Sequence, residues 1–96
     1  MINLYEIKDI ADLFKATKEI ERIANETANH YICPSKHAME DVTASLINLV
    51  NVYISWTISE LTRWRLCYNA KTFSVTAYMA SNFEVPEGYI NPNPEV

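Results

Sequence analysis

From Val42 to Ser59 the chain runs for 18 consecutive residues without a charge, and any fold it adopts has to cover that run. Leu46, Ile47, Leu49, Val50, Tyr53, Ile54, Trp56 and Ile58 would wrap most of a helical circumference. Asn48, Asn51, Ser55 and Ser59 fill the remaining gap at spacings of three and four. A membrane span needs about 20 mostly apolar residues. This run is shorter, holds two asparagines near its centre, and is preceded by Glu40 and Asp41 rather than by basic residues. A helix lying on the surface of a soluble protein shows Lys or Glu on its wet face, and this one shows none. The sequence therefore predicts a central helix, from about residue 35 into the sixties, packed on several sides. Its Asn/Ser stripe would be hydrogen-bonded to another protein segment.

The residues before it read as a first helix. Asn3 can cap, Glu6 can reach back to the cap, and Ile2 and Ile7 stand at staple positions. Ile10, Leu13, Phe14, Ile20, Ala24, Ala28 and Tyr31 then recur along one face. Lys8, Asp12, Lys15, Glu19, Arg22 and Glu26 alternate in sign on the opposite face, which would simply meet water. Cys33-Pro34-Ser35 breaks the pattern: Pro34 disfavours helix at Cys33 and can open the next helix, or Ser35 can cap it.

Residues 63 to 78 admit two readings. Asn69-Ala70 as a two-residue turn would make a hairpin, with Tyr68 beside Lys71, Leu66 opposite Phe73, and Trp64 opposite Val75. The turn lacks the glycine that such hairpins prefer. The rival reading continues the second helix to Cys67, ends it at Asn69 and starts a short helix at Thr72. The helical reading is preferred, since an isolated hairpin is marginal in water. From Glu84 onward, three prolines and the only glycine, Gly88, describe an extended surface tail over about residues 84 to 96. The expected fold is mainly α, a single helical domain over residues 1 to 96. It would be a long antiparallel helix pair with a C-terminal third element, a short helix or a β-hairpin, and the tail.

Composition closes off several functions. With one glycine there is no phosphate-cradling loop, no dinucleotide fingerprint and no nucleophile elbow. A net charge of −4 has the wrong sign for a general phosphate-backbone binder. The N-terminal residues carry Glu6, Lys8, Asp9 and Asp12 where a signal peptide would be apolar. Two cysteines are too few for a disulfide scaffold, which fits a cytoplasmic chain with reduced thiols. His30, Cys33 and His37 are spaced as half of a zinc signature, with Cys67 or Glu40 as a fourth ligand if the fold returns there, and Cys33 beside two histidines is the one candidate thiol nucleophile. A strong zinc site has paired elements in duplicate, and a thiol enzyme needs an oxyanion hole. Neither is visible, so no metal, no cofactor and no catalytic residue is expected.

What remains is binding. The expectation is a small, non-catalytic protein–protein interaction module, a homo-oligomer that regulates or inhibits a larger protein partner. A chain of this size also fits an accessory factor of a phage or mobile element. Leu46, Leu49, Tyr53 and Trp56 would form the oligomer face, and Arg63, Trp64, Arg65 and Tyr68 the partner face, because Trp, Tyr and Arg are favoured interface anchors. The alternative is a small nucleic-acid-binding protein using Arg63, Trp64, Arg65 and Lys71.

Overall fold

The computed structural model describes residues 2–29, 36–80 and 84–93. Its elements are helices α1 (Ile10–Asn29) and α2 (Lys36–Thr57), followed by strands β1 (Trp64–Asn69), β2 (Val75–Met79) and β3 (Tyr89–Ile90). The strands form one antiparallel sheet in the order β2-β1-β3. The fold is thus mixed α+β, which corrects the mainly α class expected from the sequence: a three-stranded sheet stands in place of a third helix. The two helices pack on each other and on one face of that sheet, α2 against β1 and α1 against β2.

The first helix begins later than its sequence suggested. Asn3 caps only a single 3-10 turn, Leu4–Glu6, by accepting from the Tyr5 backbone N–H at 3.1 Å. The chain then extends at Ile7, and α1 starts behind Asp9, whose carboxylate accepts from the Asp12 N–H at 2.9 Å. Asp12 in turn accepts from the Lys8 N–H, so two carboxylates satisfy two donors at the helix entry. Leu13, Ala16, Thr17, Ile20 and Ala24 form its buried face, and Arg22 pairs with Glu19 and Glu26 on the exposed side.

Helix α2 ends at Thr57, earlier than the sixties. The Thr57 hydroxyl donates to the Tyr53 carbonyl, Ile58 turns extended, and a 3-10 turn at Ser59–Leu61 redirects the chain with Leu61 buried. The next residues pair as strands because the hairpin is not isolated: it gains a helical layer and a third strand, the additions that make a hairpin stable. Trp64, Leu66, Tyr68, Val75 and Ala77 belong to the helix-facing core or pack against it, together with Leu13, Ile20, Ile47, Val50 and Ile54.

The register also differs from the two-residue turn. Tyr68 pairs with Val75, Leu66 with Ala77 and Trp64 with Met79. A four-residue loop replaces Asn69-Ala70, and the Asn69 side chain organises it by accepting from the Lys71 and Thr72 N–H groups at 2.8 and 3.1 Å. Phe73 takes φ 59°, a left-handed conformation uncommon for such a bulky residue. Part of the expected surface tail is structural. A turn closed by Tyr89 N–H donating to the Pro86 carbonyl, with Gly88 at φ 84°, delivers Tyr89–Ile90 to the edge of β1. Asn91 is then buried and donates to the Tyr78 hydroxyl at 2.8 Å.

Candidate protein-docking face

Asn51 decides how α2 sits. It is fully buried and faces the edge of β1 that β3 does not reach. Its Oδ1 accepts from the Leu66 N–H at 2.7 Å, and its Nδ2 donates to the Leu66 carbonyl at 3.3 Å. One side-chain amide thus takes the place of a neighbouring strand. The rest of the Asn/Ser stripe does not share this role. Ser55 bonds back to the Val52 carbonyl of its own helix, and Asn48 Oδ1 is buried without a partner among the described residues.

With Thr43, Ile47, Val50, Asn51 and Ile54 turned inward, the opposite side of α2 carries Ser45, Leu49, Val52 and Trp56 outward. Trp56 is 83% exposed, and Leu49 and Val52 are 42% and 43% exposed. Tyr53 borders them, half-buried, and Tyr5 stands against it edge-on with ring centroids 6.3 Å apart. Tyr5 is itself 83% exposed. Because residues three and four apart are neighbours on a helix, these side chains form one uncharged apolar patch. Of the four residues expected on the oligomer face, Leu49 and Trp56 lie in it and Tyr53 on its border, while Leu46 packs against the core. Val52 joins them, three residues from Leu49 and four from Trp56. Nothing local in the sequence points to Tyr5.

The group expected to meet a partner is divided by strand alternation. Trp64 and Tyr68 point towards the helices: Trp64 packs on the core and edge-on to Phe14 at 6.5 Å, and Tyr68 is buried. Arg65 points to the other face, and its Nη1 donates to the carbonyls of Thr62 and Trp64, both at 2.6 Å. Arg63 precedes β1 and Lys71 follows it, both exposed. The aromatic plates Trp64 and Tyr68 and the Arg65 guanidinium, expected together as a base-stacking and phosphate-holding group, thus lie on opposite faces of the sheet. Desolvation, reinforced by Glu40 and Asp41, raises the pKa of the Tyr68 hydroxyl.

His30, Cys33 and the His37 side chain lie outside the described residues. Among the described residues, no three metal-binding side chains converge, and Cys67 is buried with its thiol directed at the Thr76 carbonyl, 3.8 Å away. Treatment with a strong chelator should leave the melting temperature unchanged. A fall on chelation, with about one zinc per chain by elemental analysis, would make His30, Cys33 and His37 the leading ligand candidates.

No helix among the described residues is long and apolar enough to cross a membrane. Two helices laid on a three-stranded antiparallel sheet, with an uncharged patch left on one helix, is the class that fold and site define. No family model, curated protein or solved structure matches the chain.

Proposed function

We propose that this chain is a non-catalytic protein-interaction module that regulates or inhibits a larger protein partner, docking through the outer face of α2. The observation that carries this reading is Trp56, an indole left open to water on the helix face of Leu49 and Val52, with the exposed Tyr5 ring against the bordering Tyr53. Isolated exposed apolar residues are ordinary, but a contiguous group holding two large aromatics marks an interaction site. Such groups supply the few anchors that dominate binding energy. The two cysteines and the absence of a disulfide framework support a cytoplasmic setting.

Paired substitutions test the reading. The partner is first identified by co-purification from the native host, and its affinity for each variant is then measured by calorimetry. Trp56→Ala should cost about 2 kcal/mol or more of partner affinity and leave the melting temperature unchanged. Trp64→Ala should do the reverse, losing about 2 kcal/mol of stability through the contacts with Phe14 and the core. A Trp56→Ala protein that binds normally would remove α2 from the interface.

A further inference from the structure

We infer that the outer face of α2 also pairs with a second copy of itself, the two helices running antiparallel about a two-fold axis between Leu49 and Val52. This rests on the docking reading of the same face. Ser45, Leu49, Val52 and Trp56 are separated by four, three and four residues, a spacing that reads identically in either direction. Under a two-fold axis each stripe therefore falls into register with its copy. Leu49 of one chain meets Val52 of the other, and Trp56 lies over Ser45, the largest side chain of the stripe against the smallest. The uncharged run leaves no buried charge unpaired in the seam.

Area sets the strength. A helix of 22 residues is about 33 Å long and offers a strip about 10 Å wide. That falls short of the roughly 800 Å² per partner buried by stable complexes, even with Tyr5 and Tyr53 added at its side. The pair is consequently transient, with a dissociation constant on the order of micromolar. Because the seam and the docking site share Trp56, the dimer masks the docking site, and the larger partner takes up the dissociated chain.

Sedimentation equilibrium of the full chain over a concentration series tests this. A monomer–dimer equilibrium with a dissociation constant on the order of micromolar is expected. Trp56→Glu should raise the dissociation constant at least about tenfold. Adding Ser45→Lys should recover part of that loss, since the antiparallel register sets position 45 against position 56. Circular dichroism melts confirm that each variant is folded. A wild-type chain that stays monomeric throughout, or a Trp56→Glu chain that dimerises unchanged, overturns the pairing. Failure of the Ser45→Lys rescue overturns the antiparallel register. If the chain is monomeric while Trp56→Ala still weakens partner binding, the pairing fails and the docking reading stands. If it dimerises through Trp56 while Trp56→Ala binds the partner normally, the docking reading fails instead.

Discussion

Replacing Asn51 with leucine should remove about 3 kcal/mol or more of stability, although the two side chains are close in size. The Leu66 N–H and carbonyl lie on the side of β1 turned away from β2, and Asn51 satisfies both. Leucine restores the volume but leaves a buried donor and a buried acceptor with neither partner nor water. Each such group costs about 1–3 kcal/mol, out of the roughly 5–15 kcal/mol that holds a domain of this kind folded. Urea melts of the two proteins measure the difference. Asn51→Asp gives an independent check through its pH dependence. A protonated carboxyl can donate to the Leu66 carbonyl and accept from its N–H, while a buried carboxylate can only accept. Burial raises the folded-state pKa of that group, so its stabilising contribution is present in acid and lost as the pH rises through the folded pKa. An Asn51→Leu protein within about 0.5 kcal/mol of wild type would mean that the amide is incidental to the way α2 meets the sheet.

Asn51 also shows how far the sequence could be read. Its position in an uncharged helix pointed to a hydrogen bond with another segment, and the bond exists. The segment was not identifiable, because the partner groups are backbone atoms that any residue at position 66 would provide. The helices were legible from their periodicity. The sheet was not, for physical reasons that differ by strand. Trp64-Arg65-Leu66-Cys67-Tyr68 lacks clean alternation because both of its faces are covered: Leu66 and Tyr68 meet the helices, and Cys67 is buried on the other side. Tyr89–Ile90 is too short for any pattern and lies among prolines. Its pairing with Tyr68 and Asn69 is set by tertiary contact alone. The same limit governed the site. Exposure distinguishes Trp56 from Trp64, and it depends on which face of each element the rest of the fold covers. Both indoles occupy plausible anchor positions in sequence, yet one is an open surface group and the other packs against Phe14.

Deleting residues 87–96 should expose Cys67 and raise its labelling rate about a thousandfold. Cys67 lies on the face of β1 turned away from the helices and is fully buried. Tyr78 occupies the same face of β2, and Asn91 reaches it from beyond β3, which brings the C-terminal segment to this side of the sheet. Burial pushes the Cys67 thiol up to about 12. At pH 8 only about one thiol in ten thousand would then be the reactive thiolate, against about a quarter for an ordinary exposed cysteine. Labelling with a disulfide reagent in a Cys33→Ser background, where Cys67 alone reports, reads this difference directly. The deletion also strips β3 from Tyr68 and Asn69, so the melting temperature should fall with it. Asn91→Ala is the milder version, removing the bond to the Tyr78 hydroxyl while keeping β3. It should cost about 1 kcal/mol and raise the labelling rate by a smaller factor. Stability itself should decline from about pH 9 towards pH 12. The raised thiol pKa keeps its contribution whole below the ordinary thiol range and loses it as the pH climbs through the folded value, and Cys67→Ala should flatten that limb. If deletion leaves the labelling rate of Cys67 unchanged, the segment does not cover the sheet, and the thiol is protected by the hairpin alone.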